Sequence, residues 1–142
     1  GSEMCIRDSR YKTLLAPRNN RLNLVKSDLF SAIDFSSKLD FIISNPPYIS
    51  SNKIDELQNE VSKFEPRTSL DGGKDGLFFY TYLLDTAQEM LKSDGEMVLE
   101  IGFDQQSTLT ELRRKFPGWE SSNFRRDLQG NDRVWILSKE KH

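Results

Sequence analysis

Alternating and continuous runs of apolar residues predict two strands in the first third of the chain. Residues 22–28 alternate apolar and polar positions, and residues 39–45 form a second strand around the apolar run 41–43. A continuous run favours a strand that is covered on both faces, as in a parallel sheet. Pro46 and Pro47 end the second strand, because neither residue has an N–H to donate to a ladder.

Apolar residues at helical spacing predict helices in the rest of the chain. Residues 54–64 and 109–116 carry such a stripe, and Asp75 is a suitable N-cap for another helix over residues 76–92. The turn residues 93–95 would end that helix. Further strands are predicted at residues 97–101, 119–124 and 133–138.

The lengths of the connections predict how the strands run. Segments 45–97 and 101–119 each carry a helical stripe, so both can serve as crossovers between parallel strands. Residues 125–132 are too few for a parallel crossover and include turn residues, so the last strand should run antiparallel to its predecessor. The predicted fold is a Rossmann-like α/β sheet, mostly parallel, with an antiparallel C-terminal strand.

Composition indicates a single globular domain and removes much of the usual catalytic chemistry. The 142 residues include 20 Lys and Arg against 22 Asp and Glu, and the formal net charge of −2 gives no broad positive field for nucleic acid. One Cys and one His, the terminal His142, argue against an internal disulfide, His-based triads and the usual zinc sites. Carboxylates, amides, backbone groups or a bound cofactor would have to supply any chemistry.

The sequence predicts neither a membrane span nor a targeting signal. No apolar run approaches the roughly 18 residues that a span needs, and no apolar segment follows a basic start. A cytoplasmic location is the expectation. Residues 1–9 show no periodicity and resemble a cloning scar and a translated adapter, so we assign the fold to residues 10–142.

Asn45-Pro46-Pro47-Tyr48 is the sharpest local motif, and it follows the most apolar strand. The carboxyl edge of such strands is where open α/β sheets place their ligands. Asn45 and Pro46 both precede a proline, which restricts them to extended backbone and makes the corner stiff. The corner holds the Asn45 carboxamide beside the Pro46 carbonyl, with Tyr48 as a flat wall. A strand-ending turn without function is the alternative interpretation.

Two rigid acceptors beside an aromatic ring suit a planar –NH2 group, as found on an amide or a nucleobase. The nitrogen of such a group is a poor nucleophile because its lone pair is delocalised. Accepting both N–H bonds would aim that lone pair at an electrophile and favour the positive charge that develops during attack. This catalysis needs no general base, which agrees with the shortage of His.

The motif and its context resemble the HemK-type peptide chain release factor N5-glutamine methyltransferases, which are class I S-adenosylmethionine-dependent enzymes. The resemblance extends from about Leu22 to the end of the chain, and N-P-P-Y alone would also fit DNA adenine methyltransferases. The matching strings are S-D-L-F at 27–30, N-P-P-Y-I at 45–49, E-P-R-T-S-L-D-G-G-K-D-G-L at 65–77, L-E-I-G-F-D-Q-Q at 99–106 and D-L-Q-G-N-D-R-V at 127–134.

The resemblance implies methyl transfer from S-adenosylmethionine to the side-chain amide of a glutamine in a release factor. Asn45 would hold that amide and lie against the methyl end of the cofactor. Pro46, Pro47 and Tyr48 would complete the substrate pocket, with Asn45, Pro46 and Tyr48 as the catalytic residues. The partner would be a peptide chain release factor, with no direct nucleic-acid or membrane partner.

Further positions follow from the same resemblance. Asp28 and Leu29, at the end of the strand that matches the family's third, would contact the adenine of the cofactor. Residues 65–66 and the glycine loop 71–76 would lie near the mouth of the active site, unless the glycines simply serve backbone turns. The loop imitates the start of a calcium loop, but Gly73 offers no side-chain ligand, so we expect no metal.

Parts of the family pattern have no counterpart before Leu22: the glycine-rich turn, the acidic ribose ligand and the helical substrate domain. In the family sheet the first two strands lie between the third and fourth, so the strand at 22–28 would lose both neighbours. We expect a C-terminal fragment with a truncated sheet and an incomplete S-adenosylmethionine site, inactive alone. The strand at 22–28 would pair with 39–45, collapse elsewhere or be completed by another chain, and an exposed edge favours self-association.

Two other functions stay open. A DNA or RNA adenine methyltransferase would use the same corner, but it should carry a basic face that a net charge of −2 does not indicate. A non-enzymatic fragment that binds release factor is the second. Glu100, at the end of a central strand, is expected to orient loop amides and not to act as a catalytic carboxylate.

Overall fold

The chain divides into two compact units, Gly1–Ser36 and Ser37–His142. The computed structural model of the protein describes residues 25–34, 36–57 and 66–139. Within these residues no helix is long and apolar enough to cross a membrane. The predicted non-native segment, residues 1–9, lies outside the described residues.

A hydrogen-bonded turn occupies the described part of the first unit. The Asp28 carbonyl accepts a backbone hydrogen bond of 3.1 Å from the residue three positions on, and the Ser27 hydroxyl accepts one of 2.9 Å from the residue five positions on. Leu29 has a left-handed φ of 50°. Short polar side chains that bond to nearby backbone compete with strand ladders. The prediction of a strand at 22–28 is therefore wrong for residues 25–28, and residues 22–24 lie outside the described residues.

The second unit is a four-stranded sheet with helices in its connections. Strands and helices alternate as far as the final pair of strands, which a short turn joins. In chain order the elements are β1 (Leu39–Ser44), α1 (Ser51–Leu57), a 3-10 turn (Arg67–Ser69), α2 (Phe78–Met90), β2 (Leu91–Glu100), α3 (Gln106–Arg113), β3 (Trp119–Arg126) and β4 (Asp132–Lys139).

The strand order is β1-β2-β4-β3. β1 runs parallel to β2, and β4 runs antiparallel to both β2 and β3. The predicted α/β class, the parallel crossovers and the reversed last strand are confirmed. β2 and β3 point the same way because a helix connects them, and the short turn after β3 returns the chain between them.

Element boundaries differ from the prediction at two helices. α2 begins at Phe78 and ends at Met90, and β2 begins directly at Leu91, so the predicted stop at 93–95 lies inside the strand. Leu91 has extended backbone and is 1% exposed, which means that packing of its side chain starts the strand before the turn residues are reached. α3 ends at Arg113, three residues before the predicted end.

The core lies between the sheet and α2. Trp135 on β4 makes an edge contact with Tyr80 on α2, with ring centroids 6.3 Å apart, and the Trp119 indole N–H donates to the Leu84 carbonyl at 3.1 Å. Burying such rings contributes on the order of 2–3 kcal/mol each. The fully buried sheet residues of this face include Met97, Leu99, Trp135 and Leu137.

The opposite face of β1 is open. Ile42 is 7% exposed, but its neighbours Phe41 and Ile43 are 60% and 79% exposed. The prediction that β1 is covered on both faces is therefore wrong. β1 is the edge strand of the described sheet. Helix α2 packs against the face that carries Ile42, because Ile42 shares that face with Trp135, which contacts Tyr80 of α2.

Candidate active site

Asn45 stands directly after the last residue of β1, at the carboxyl edge of the two parallel strands. Its side chain is exposed, whereas the following Pro46 is buried. No hydrogen bond joins the Asn45 carboxamide to another residue among those described. The corner therefore anchors its backbone through Pro46 and leaves a polar amide free to bind a ligand.

Tyr48 is held at both ends of the residue. Its backbone carbonyl accepts a hydrogen bond of 3.2 Å from the Gln105 side-chain amide. Its half-buried hydroxyl lies beside the charged groups of Glu100 and Arg133. Burial raises the pKa of the Tyr48 hydroxyl, the Glu100 carboxylate raises it further, and Arg133 opposes them. The ring is thus a fixed, neutral wall.

Gln105 joins the loop after β1 to the loop after β2 through one side chain. While its Nε2 donates to the Tyr48 carbonyl, its Oε1 accepts from the Gly102 backbone N–H at 2.9 Å. The Tyr80 hydroxyl of α2 donates nearby, to the Glu100 carbonyl at 2.8 Å. The loop after β1, the loop after β2 and helix α2 are therefore connected behind the corner.

The glycine loop packs against the same corner. Ile49 and residue 71 form a parallel bridge, in which the Gly72 N–H donates to the Ile49 carbonyl at 2.8 Å. Asp71 fixes the loop: its carboxylate accepts from the Ser51 hydroxyl at 2.8 Å and from the Gly73 N–H at 2.9 Å. The Ser51 hydrogen bond is the main reason why the pKa of Asp71 is lowered.

Two glycines are required where the loop meets the corner. A Cβ on Gly72 would come within 2.8 Å of the Pro47 carbonyl oxygen and 2.9 Å of the Tyr48 Cα. Gly76 has a φ of 76°, and a Cβ there would overlap the Tyr48 carbonyl oxygen. The glycines of this loop therefore serve backbone geometry, and its place near the active-site mouth stays a prediction.

A cleft of about 520 Å³ opens between these loops, at the carboxyl ends of β1 and β2. Tyr48, Gln105 and Arg133 line it, together with Lys53 and the exposed ring of Phe103. The structure does not place Asn45, Pro46 or Pro47 in its lining. The tyrosine end of the motif therefore faces the cleft, while the asparagine end lies beside it.

Several of the cleft's neighbours were missed by sequence reasoning. Gln105 and Arg133 lie in the quoted strings at 99–106 and 127–134, yet neither had a role assigned. Glu100 was expected to orient loop amides, and its side chain instead lies at the Tyr48 hydroxyl. The signal available from the sequence was that Glu100 ends a strand, Arg133 lies at the start of another and Gln105 precedes a helix, all beside loops that meet at the corner.

Asp28 and Leu29, the predicted adenine contacts, belong to the first unit and are exposed in its turn. The role assigned to them stays a prediction. Among the described residues, no group of three or more His, Cys, Asp or Glu is placed to hold a metal ion.

The described residues fit S-adenosylmethionine in part. They supply the exposed Asn45 amide, whose place at the methyl end stays a prediction, but they contain no glycine-rich turn that could hold the methionine portion. The three described glycines with positive φ are used elsewhere: Gly73 and Gly76 in the packed loop, and Gly130 in the β3–β4 turn.

The parallel strands β1 and β2 with the reversed last strand form a partial methyltransferase fold. Residues 6–116 match the family model described as Eco57I restriction-modification methylase. The chain belongs to this methylase family, and its resemblance to the release factor glutamine methyltransferases is confirmed by its relatives.

A release factor glutamine methyltransferase from Clostridium botulinum (strain Hall) is 40% identical over 116 residues, which are 81% of this chain and 41% of the relative. A bifunctional methyltransferase from Rickettsia conorii is 36% identical over 119 residues, 84% of this chain and 22% of the relative. A solved methyltransferase from Pyrococcus furiosus shares the fold, with a TM-score of 0.50 at 22% identity over 72% of this chain and 42% of that one. The chain thus spans less than half of each.

Proposed function

We propose that residues 10–142 form the C-terminal part of a catalytic domain that methylates the side-chain amide of a glutamine in a peptide chain release factor. The observation that supports this most is the exposed carboxamide of Asn45, which has no hydrogen-bond partner among the described residues and follows the parallel strand β1 at its carboxyl edge. The name of the Clostridium botulinum relative supports the substrate class. A release factor substrate would also agree with the predicted cytoplasmic location.

The residues would act by orientation and charge. The Asn45 oxygen and the Pro46 carbonyl would accept the two N–H bonds of the glutamine amide, which directs the nitrogen lone pair away from both acceptors. As positive charge develops on that nitrogen, the same two oxygens would stabilise it. Bound S-adenosylmethionine would supply the electrophilic methyl group, whose bond to sulfur breaks as its bond to nitrogen forms. The methylated nitrogen would then lose one of its protons to solvent and become a neutral amide. Pro47 and Tyr48 would close the pocket against water.

Gln105, Glu100 and Arg133 would position Tyr48 and would not touch the reacting atoms. Gln105 fixes the Tyr48 backbone, and the two charged residues fix its hydroxyl. The adjoining cleft, with cationic and anionic side chains and the Phe103 ring, would accept the peptide on either side of the glutamine.

The cofactor half of the site depends on residues that the described chain does not supply. As the resemblance implies, Asp28 and Leu29 would contact the adenine and Asn45 the methyl end. Because no described turn would hold the methionine portion, we propose that the chain alone is inactive. Calorimetry with the isolated chain should give no binding of S-adenosylmethionine; a micromolar dissociation constant would contradict this proposal.

Adenine in DNA is the second candidate substrate, because the matched family model carries the name of a restriction-modification methylase. An exocyclic adenine –NH2 has the same planar geometry as an amide. The net charge of −2 argues against tight binding to DNA, although it does not bear on the chemistry of methyl transfer to adenine.

A chimera tests the proposal. This chain would replace the matching segment of the Clostridium botulinum relative, and methyl transfer from labelled S-adenosylmethionine would be measured on release factor and on adenine-containing oligonucleotides. We expect activity on release factor, and a loss of about 100- to 1,000-fold in kcat for Asn45→Ala. Asn123→Ala, an exposed Asn on β3, is the matched control. Activity on oligonucleotides alone, or full activity of Asn45→Ala, would overturn the assignment.

A further inference from the structure

The turn between β3 and β4 is organised around one carboxylate. The Asp127 Oδ1 atom accepts backbone hydrogen bonds from Gln129 at 2.9 Å and from Asn131 at 3.0 Å. The Asp127 backbone adds two more: its N–H donates to the Asn131 carbonyl at 2.9 Å, and its carbonyl accepts from the Gly130 N–H at 3.0 Å. Gly130 has the left-handed φ of 86° that closes the turn. The turn therefore uses only one of the two carboxylate oxygens.

The second oxygen of Asp127 faces Arg133. Its Oδ2 atom lies 3.6 Å from the Arg133 Nε atom, and both side chains are partly buried. Hydrogen bonds from the turn lower the pKa of Asp127, the one from the Asn131 backbone most of all, so the carboxylate is charged at neutral pH. A turn of this kind needs only a side-chain acceptor, which Asn also supplies. The negative charge of Asp127 therefore serves the contact with Arg133.

Arg133 connects the turn to the candidate active site. Its backbone carbonyl accepts from the Ile101 N–H at 3.0 Å, which fixes the residue beside the end of β2. Arg133 lines the cleft, and its guanidinium lies beside the Tyr48 hydroxyl. Because a guanidinium is planar and rigid, an ion pair at Nε sets the direction of its two terminal NH2 groups. Asp127 is thus placed to direct Arg133 toward Tyr48.

From this geometry we propose that Asp127 is a positioning residue for the active site, which acts through Arg133 on Tyr48 and on the adjoining part of the cleft. Asp127 touches neither the substrate nor the reacting atoms. The effect on catalysis rests on the proposed function, because the cleft would accept the peptide beside the target glutamine. The effect on the geometry of Arg133 and Tyr48 is independent of the substrate.

Asp127→Asn separates the two uses of the carboxylate. The new side-chain oxygen still accepts from the turn N–H groups, whereas the charge that holds Arg133 is lost. Asp132→Asn is the matched control, since it removes the same charge and a closer ion pair of the same hairpin, to Arg126 at 3.2 Å. Asp132 does not belong to the lining of the cleft.

Nuclear magnetic resonance of the chain tests the geometry without any methyl transfer. We expect Asp127→Asn to shift the Arg133 Nε–H signal and the Tyr48 ring signals, which Arg133→Gln and Tyr48→Phe assign by their absence. The Asn131 amide should stay protected from exchange, because the turn is kept. Unchanged Arg133 and Tyr48 signals, or equal shifts in Asp132→Asn, would overturn the proposal.

A double-mutant cycle distinguishes action through Arg133 from a general loss of the turn. In an Arg133→Gln background, Asp127→Asn should cause no further shift of the Tyr48 ring signals, because the residue that connects the turn to Tyr48 is already gone. A shift as large as that in the parent chain would show that Asp127 acts through the fold of the turn, and would overturn its role as a positioning residue.

Kinetics of the chimera test the effect on catalysis. Asp127→Asn should raise the KM for release factor about three- to fivefold, the range of a partly exposed ion pair, and leave the KM for S-adenosylmethionine unchanged. An equal rise in Asp132→Asn, or equal rises in both KM values, would contradict the proposal. A parent chimera that does not methylate release factor would overturn the proposed function instead, and the resonance shifts would then decide the role of Asp127.

Discussion

The two ends of the Asn-Pro-Pro-Tyr motif are held in opposite ways. Gln105 donates a hydrogen bond to the Tyr48 carbonyl, and the charged groups of Glu100 and Arg133 lie beside the Tyr48 hydroxyl. Two glycines pack closely against the backbone of Tyr48. Asn45, three residues earlier, has no hydrogen-bond partner among the described residues and is exposed.

The difference shows how a fold can aim a side chain without bonding to it. The contacts at Tyr48 fix the backbone of the motif, and the prolines transmit that rigidity to Asn45 because both restrict the residue before them. A hydrogen bond to the Asn45 amide itself would have used the acceptor that a substrate needs. Changes at the tyrosine end should therefore affect stability, and changes at the asparagine end should not.

The largest expected effect on stability is at the contact between Gly76 and Tyr48. Gly76→Ala should lower the free energy of unfolding by about 2–4 kcal/mol, because the new Cβ would overlap the Tyr48 carbonyl and the positive φ adds strain. Urea denaturation measures the loss. Gly130→Ala is the control: φ is 86° there, but nothing lies within 4 Å of the new Cβ, so about 1 kcal/mol is expected. Equal losses would mean that the contact with Tyr48 contributes nothing.

The next largest effect on stability is expected at Gln105. Gln105→Ala should cost about 1–3 kcal/mol, because it leaves the Gly102 N–H and the Tyr48 carbonyl without their partner. Hydrogen exchange at Gly102 should accelerate as well. Gln106→Ala, which changes an exposed residue of the first turn of α3, should alter stability by less than about 0.5 kcal/mol. If exchange at Gly102 is unchanged in Gln105→Ala, the proposed connection between loops is wrong.

A smaller effect concerns alkaline pH. Burial and Glu100 raise the pKa of Tyr48 above its ordinary value of about 10, so the fold favours the neutral phenol. Stability from this group is complete below pH 10 and is lost as the pH rises toward the folded-state pKa. Denaturation measured at pH values above 10 should show a shallower decline for Tyr48→Phe than for the parent chain. Parallel declines would show that Tyr48 ionises freely.

The smallest effect on stability is predicted at Asn45. Asn45→Ala should change the free energy of unfolding by less than about 0.5 kcal/mol, since the exposed amide has no described partner to lose. The same substitution should abolish most methyl transfer in the chimera. A clear loss of stability would show that Asn45 supports the corner, which would weaken its proposed role toward substrate.

Local chemistry explains which parts of the fold could be predicted from the sequence. Pro46 and Pro47 ended β1 where expected, and the short turn after β3 reversed the last strand, because both depend on neighbouring residues. The exposure of Phe41 and Ile43 could not be read from an apolar run, since it depends on which elements cover the sheet. The contact of Gln105 with Tyr48 joins residues far apart in sequence, and nothing in the spacing of either motif indicates it.

The position of β4 has a consequence for biosynthesis. It is the last of the described strands in chain order, yet it lies between β2 and β3 and supplies Trp135 to the core. Until the ribosome has released residues 132–139, β2 and β3 have no shared partner and the centre of the sheet is open. Nascent chains that stall before Asp132 should therefore need chaperone protection, because a long-range central strand arrives last.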